Sequence, residues 1–188
     1  MVKTATVLGL SALLFLGCDK STSVIVARAI VTDPQASRFP LEGKWQSFES
    51  PVFGDDPAGE PYSVRRLQDG RYEISFEGKV CKAICQAVSL NDDHSQALLE
   101  LQLVGEGFAG SKYLAVAAIQ DEWLFYRFID KPQELAECMA EDGYSAVIEH
   151  GMWCSTITAD GNDLLNCVRK HIEEIVSAPS NRARRVAD

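Results

Sequence analysis

Six cysteines and three histidines are the residues of this chain that offer the most chemistry. A cysteine can be acylated, can form a disulfide, or can bind a soft metal ion as a thiolate. A histidine can bind the same ion or move a proton. The compartment of the protein decides between these reactions, so the N-terminal address matters first.

Cys18 closes a short apolar run at the N-terminus. The run covers residues 4–17 and follows the cationic Lys3. Leu14-Phe15-Leu16-Gly17-Cys18 resembles the lipobox of bacterial lipoproteins, which implies that the preceding residues are removed and that Cys18 is acylated. We therefore expect a cell-envelope protein held on the periplasmic side of a membrane by acyl chains. Asp19 resembles an inner-membrane retention signal, which favours that membrane if the host is Gram-negative.

Two other interpretations of the N-terminus are open. The fourteen residues of the run are fewer than the ~20 that a spanning helix needs. An ordinary signal cleaved at Ala27-Arg28-Ala29 would place the charged Asp19 and Lys20 inside the exported segment. We therefore favour acylation of Cys18. Two or more acyl chains hold a protein stably at a membrane.

The five other cysteines are expected to be oxidised in an exported protein. Cys154 and Cys167 flank a predicted turn and predict one disulfide. Cys81 and Cys85 share a predicted strand and would lie ~13 Å apart, too far to bond to each other. Cys138 is therefore expected to pair with one of these two.

The alternative for the same thiols is a metal site. His150 and Cys154 are four positions apart, and so are Cys167 and His171. Two cysteines and two histidines form a ligand set that tetrahedral zinc uses. His171 also lies on the apolar stripe of a predicted helix, and an oxidising compartment favours disulfides. We therefore expect no metal and no cofactor.

Motifs for catalysis give no support for an enzyme. Gly105-x-Gly107-x-x-Gly110 imitates a dinucleotide fingerprint, but the segment after it is β-like where that motif requires a helix. The three histidines have no evident carboxylate or nucleophile partners in the sequence. We expect a non-catalytic protein.

The charge balance argues against nucleic acid as a partner. The chain has 27 acidic and 18 basic residues and a formal charge of −9, whereas phosphate binding requires a basic surface. Arg182, Arg184 and Arg185 form a basic cluster after Pro179. They predict a solvated terminus.

The composition predicts a single globular domain, since 46% of the residues are hydrophobic. We expect a signal peptide at 1–17, a lipidated tether at 18–40, one β-rich domain at 41–178 and a flexible basic tail at 179–188. Within the tether, Val24-Ile25-Val26 is apolar enough to dock on the domain.

Alternating residues predict antiparallel strands through 63–129. In 72–77 apolar and polar residues alternate, directly after Asp69-Gly70, a dipeptide typical of tight hairpin turns. Helical spacing follows at 132–140 and 163–176, with two short strands between. The predicted fold class is α+β: an antiparallel β-meander or partial barrel of about seven strands, with two helices near the C-terminus.

Gly43-Lys44-Trp45, before the first strand, resembles the Gly-x-Trp signature of lipocalins, whose up-and-down barrels hold small apolar ligands. The resemblance implies that Trp45 plugs the base of a barrel and that Arg127 packs over its indole. Bulky residues on the strands, among them Trp123 and Phe125, predict a largely filled interior.

A second resemblance concerns the loop before the next strand. Gly110-Ser111-Lys112-Tyr113 partly resembles the motif of periplasmic lysozyme inhibitors, which implies binding of another protein through residues 105–113. The acidic net charge would suit a basic enzyme. Three functions stay open: a lipid-anchored binding or structural domain of the envelope, an inhibitor or immunity-type lipoprotein, and a carrier of a small apolar ligand.

Acylation of Cys18 is tested by labelling cells with radioactive palmitate. We expect the wild-type protein to take up label and to fractionate with membranes, and Cys18→Ala to lose both properties. Cys81→Ala removes a cysteine outside the motif and should keep both. An unlabelled wild-type protein, or unchanged fractionation of Cys18→Ala, would contradict the prediction.

Overall fold

The described part of the chain in this computed structural model comprises residues 24–26, 37–48, 56–58, 60–76, 82–104, 112–129, 131–150, 155–177 and 181–187. These residues form eleven strands and two helices. The strands are β1 (Val24–Val26), β2 (Gly43–Phe48), β3 (Tyr62–Arg66), β4 (Tyr72–Phe76), β5 (Lys82–Ser89), β6 (Gln96–Val104), β7 (Lys112–Gln120), β8 (Trp123–Phe128), β9 (Ala146–His150), β10 (Ser155–Ala159) and β11 (Asn181–Val186). The helices are α1 (Pro132–Glu141) and α2 (Gly161–Ser177).

Eight of the strands close into an antiparallel barrel. β2 to β8 follow one another around it, each paired with the next, and β11 returns to lie between β8 and β2. The predicted α+β class with an antiparallel meander and two helices is confirmed. The predicted strand number is wrong, because the barrel is closed with eight strands. A closed barrel of this kind is consistent with the lipocalin-like resemblance.

The eighth strand is the segment that the sequence predicted to be a flexible basic tail. Arg182 on β11 is paired with Phe48 on β2 and with Phe125 on β8. Ala183 is fully buried in the barrel. The prediction failed because Ala183 is the one buried residue of this strand, so its arginines dominate the pattern. Backbone hydrogen bonds along both edges hold the strand.

Alternation separates an inner from an outer apolar face. The inner cluster draws on every barrel strand and includes Trp45, Val64, Tyr72, Ile74, Phe76, Cys85, Leu99, Leu101, Ala115 and Leu124. Leu124, Tyr126 and Phe128 belong to this face of β8. The alternation therefore places Trp123 and Phe125 outside, against the prediction that they help to fill the barrel. There the Arg182 guanidinium lies 5.1 Å from the centroid of the Trp123 ring.

The segment before β2 seals one end of the barrel. Phe39 is 1% exposed, and its carbonyl accepts a 2.6 Å hydrogen bond from the Tyr72 hydroxyl. The Trp45 indole nitrogen donates to the Leu41 carbonyl at 2.9 Å. Arg66 donates to the Ser37 carbonyl at 2.8 Å. The globular domain therefore starts before the predicted boundary at Leu41.

Trp45 plugs this base, as the resemblance implied, but the arginine over it is a different one. The Arg185 guanidinium on β11 lies 4.8 Å from the Trp45 centroid and donates to the Pro40 carbonyl at 2.8 Å. Arg127 is paired with Val116, whose side chain belongs to the outer cluster. The prediction for Arg127 is wrong, because β8 is not the last barrel strand.

The backbone conformation at Gly43 favours glycine at this base. Its φ angle is +139°, a conformation that side chains strongly disfavour. A Cβ atom at this position would also lie 3.4 Å from the Arg185 side-chain nitrogen Nε. The backbone conformation therefore favours glycine at the first position of the Gly-x-Trp opening.

An outer layer covers β6 and β7. α1 begins with Pro132, and α2 begins after Asp160, whose carboxylate accepts the Asn162 amide at 2.9 Å. The outer cluster joins the two helices and β10 to the barrel wall: Leu98, Leu114, Val116, Leu135, Met139, Ile157, Leu164, Val168 and Ile172. β1 pairs with β10 and with β7, so this part of the predicted tether docks on the domain. Neither described helix is long and apolar enough to cross a bilayer.

Closure of the barrel by Arg185 is tested with Arg185→Ala. We expect the free energy of unfolding to fall by roughly 1–2 kcal/mol, because a cation–π contact and two carbonyl hydrogen bonds are lost. Arg184→Ala is the matched control on the same strand. It removes an exposed ion pair with Glu122 and a longer cation–π contact, 5.8 Å, with the exposed side of Trp123. This change should cost less than about 1 kcal/mol. Equal urea-unfolding energies for the two variants would contradict the role of Arg185.

Candidate functional site

A cavity of about 60 Å³ lies inside the barrel. It extends from the inner side of Leu41 towards the end of the barrel where β2 ends and β3 begins. One water molecule needs ~10–15 Å³ on such a measure, so the predicted filling of the interior is incomplete. The walls are mostly apolar and include Leu41, Val64, Ile74, Phe76, Leu99, Leu101, Ala115, Leu124 and Phe128.

Three hydroxyl groups form a polar spot in this wall. Ser47, Tyr62 and Tyr126 all line the cavity, and the Ser47 side chain interacts with both phenols. Burial raises the pKa of both tyrosines above the ordinary value of 10.0. Both phenols are therefore neutral near pH 7, and each can donate or accept one hydrogen bond. Glu60 and Asn181 complete the polar part of the lining.

Aromatic neighbours hold these phenols in place. Tyr62 lies against Phe76, with ring centroids 5.9 Å apart, and Tyr126 meets Phe128 edge to face at 6.0 Å. The Ala58 amide donates to the Ser47 carbonyl at 2.7 Å, which fixes the strand that carries Ser47. The polar spot is thus presented by a rigid wall.

The loop predicted to bind a protein partner is only partly within the described residues. Gly110 and Ser111 lie outside them. Lys112 and Tyr113 belong to β7, where the Lys112 ammonium pairs with the Glu100 carboxylate at 2.6 Å and Tyr113 packs against the inner cluster. Binding of an enzyme through this loop stays an untested prediction.

The cysteines are arranged differently from the predicted disulfides. Cys85, Cys138 and Cys167 are free thiols. Cys85 points into the barrel, whereas Cys138 and Cys167 belong to the outer layer, so the barrel wall separates Cys85 from Cys138. This separation rules out a bridge from Cys138 to Cys85, whereas the bridges from Cys154 to Cys167 and from Cys81 to Cys138 stay predictions. Cys81 and Cys154 themselves lie outside the described residues.

The contact that the structure does form is between the two helices. The sulfurs of Cys138 on α1 and Cys167 on α2 lie 3.2 Å apart. The ligand atoms of these cysteines and of His171 all lie within 4.8 Å of one another. His150 is not part of this group, and its Nδ1 lies 3.1 Å from the Ser155 hydroxyl. The four-ligand set considered from the sequence is thus not assembled.

Asp142 connects this cluster to the end of α1. α1 ends in a turn in which Gly143 has φ +81° and Tyr144 donates to the Met139 carbonyl at 2.8 Å. The turn places the Asp142 carboxylate 3.2 Å from His171 Nε2 and in contact with the Lys170 ammonium. The hydrogen bond from Lys170 lowers the pKa of Asp142. Burial and the Cys138 thiol raise the pKa of Cys167 to about 12.

Comparisons with protein-family models, with curated proteins and with solved structures return no match for this chain. The site is therefore interpreted from its own geometry.

Sequence reasoning missed the first of the two groups that the structure assembles. It placed Cys167 and His171 of the second group in a metal-binding alternative but missed Cys138. Ser47, Tyr62 and Tyr126 come from three strands, and no local pattern joins them. Cys138 and Cys167 meet because two helices pack side by side. The available signal for the second group was modest: Cys167 and His171 are four residues apart, and therefore share one face of a helix.

The buried thiol of Cys85 predicts a loss of stability at alkaline pH. Burial and, secondarily, the Glu100 carboxylate raise the pKa of Cys85 from 9.0 to about 12. Above pH 9 the unfolded chain then releases a proton that the folded protein retains. Stability should fall by up to about 1.4 kcal/mol per pH unit until the folded pKa is reached.

Urea unfolding between pH 8 and pH 11 measures this effect. Cys85→Ala and Cys85→Ser should both show a shallower decline than the wild type, whatever their stability at pH 7. The two variants differ in size and polarity, but both lack the titrating thiol. A wild-type slope in both would contradict the assignment.

Proposed function

We propose that this protein binds a small, mostly apolar ligand in its barrel while acyl chains on Cys18 hold it on the periplasmic side of a membrane. The observation that supports the proposal most is the cavity of about 60 Å³, whose walls are mostly apolar and include a few polar groups: the hydroxyls of Ser47, Tyr62 and Tyr126, with Glu60 and Asn181. Ligand sites commonly combine apolar walls with a few polar groups that orient the ligand.

The shape of the barrel supports entry from one end. Residues 37–42, Trp45 and Arg185 seal the base. The cavity is lined towards the opposite end by Ser47, Tyr62, Phe76 and Phe128. A ligand therefore enters at that end with its apolar part first, and its polar group remains near Ser47.

The polar spot limits the chemistry of the ligand. Tyr62 and Tyr126 are neutral hydrogen-bond partners, because burial raises their pKa. A neutral group such as a hydroxyl or a carbonyl suits them, since neither phenol offers the opposite charge that a buried ion needs. The small volume favours a short chain or a single ring over a bulky lipid. In this proposal the site binds its ligand and does not convert it.

Straight-chain primary alcohols are suitable probes, because each combines one hydroxyl with an adjustable apolar tail. Titration calorimetry with the full chain should show affinity rising about fourfold per added methylene, which corresponds to ~0.8 kcal/mol. The increase should stop when the cavity is full. Native mass spectrometry of the protein from its own host should show a co-purifying small molecule.

Two variants test whether the alcohols bind in the barrel cavity. Tyr126→Phe should weaken alcohol binding about 2- to 12-fold, as expected for one neutral hydrogen bond, and Ala115→Leu should shorten the longest alcohol that still gains affinity. Tyr144→Phe is the matched control, because Tyr144 packs in the outer cluster. Absence of both alcohol binding and a co-purifying ligand would refute the proposal, as would equal effects of the two Tyr→Phe changes.

A further inference from the structure

Cys138, Cys167 and His171 form a compact donor group on the opposite side of the barrel wall from the cavity. Their ligand atoms lie within 4.8 Å of one another. Cys167 is buried, Cys138 is half-buried, and the His171 side chain is 20% exposed. The group is thus held by packing and is still accessible from solvent.

The spacing of the sulfurs is close to that of a metal site. Two thiolates bound at ~2.3 Å to a tetrahedral zinc ion stand roughly 3.8 Å apart. The present separation is 3.2 Å, so zinc requires a change of about 0.6 Å. A disulfide, at ~2.05 Å, requires a change of about 1.1 Å. Side-chain rotation on the two helices can supply either, but the metal site needs less.

The surroundings of His171 point in the same direction. Its Nε2 lies 3.2 Å from the Asp142 carboxylate, whose side chain is 6% exposed. Histidines that bind metals commonly donate their second ring nitrogen to a carboxylate, which orients the ring. A disulfide between Cys138 and Cys167 would give this carboxylate–imidazole pair no role.

The charges balance around such an ion. Zn²⁺ and two thiolates have no net charge, and the Lys170 ammonium contacts the Asp142 carboxylate. As the ion binds, each thiol releases its proton to solvent, so no oxidant or reductant is needed. Two sulfurs and one imidazole are donors that suit zinc well.

The geometry points to a zinc site formed by Cys138, Cys167 and His171, with Asp142 as the positioning residue of the imidazole and solvent at the fourth position. The ion links α1 to α2 and stabilises the outer layer that covers β6 and β7. This site is independent of the proposed ligand cavity, because the barrel wall lies between them.

The experiment uses the full chain, reduced and stripped of metal, and titrates it with Zn²⁺ in competition with a chromophoric chelator. We expect one ion per chain and a higher melting temperature with zinc. Cobalt(II) should give the visible absorption of a tetrahedral ion and a sulfur-to-metal charge-transfer band. Asp142→Asn should weaken zinc binding about 10- to 100-fold, and Cys138→Ala and His171→Gln should weaken it at least as much.

Matched controls are available for both ligand types. Cys85→Ala removes a thiol inside the barrel, and His150→Gln removes an imidazole outside the group. Both should keep wild-type zinc affinity. The inference is overturned if the reduced, folded wild type binds no zinc, or if Cys138→Ala and His171→Gln bind it as tightly as the controls. It is also overturned if protein from cells has linked Cys138 and Cys167 peptides and no zinc. The cobalt spectrum of the wild type decides the question even if a variant fails to fold.

Discussion

The contact of Arg185 with Trp45 is the constraint on which the rest of the barrel depends. The two residues are 140 positions apart in the sequence. They lie on β11 and β2, neighbouring strands that must pair for the barrel to close. The Arg185 side chain also donates hydrogen bonds to the carbonyls of Pro40 and Glu42, which belong to the segment that seals the base. One guanidinium thus fixes both the closure of the sheet and the closed end of its interior.

Closure gives β6 and β7 two buried faces. Leu99 and Leu101 point into the barrel, whereas Leu98 and Val116 lie under the helices. Glu100 is 8% exposed among these apolar residues, and Lys112 pairs with its carboxylate at 2.6 Å. A charge in such a place needs a partner, since an unpaired one would be costly. The same wall therefore supports two separate sites, the cavity inside and the cysteine–histidine group outside.

Local patterns were sufficient for most of the elements. Alternation and Asp69-Gly70 predicted the β3–β4 hairpin, and helical spacing predicted α1 and α2, because these features depend on neighbours in the chain. The closing strand could not be predicted in this way. Ala183 is its one buried residue, and only pairing with two distant strands makes Asn181–Val186 a strand. The same error led to the prediction that Arg127 packs over Trp45, because β8 was expected to be the last strand of the barrel. Arg185 on β11 occupies that position.

The cavity follows from an uneven distribution of side-chain volume around the barrel. Trp45, Tyr62, Tyr72 and Phe76 on β2 to β4 contribute large rings, whereas the inward residues of other strands include many alanines: Ala83, Ala87, Ala97, Ala115, Ala117 and Ala183. An eight-stranded barrel has room either for packed side chains or for one small ligand. Counting the bulky residues alone predicts a full interior. Of these alanines Ala115 lines the cavity, where a larger side chain would fill space beside Tyr62 and Tyr126.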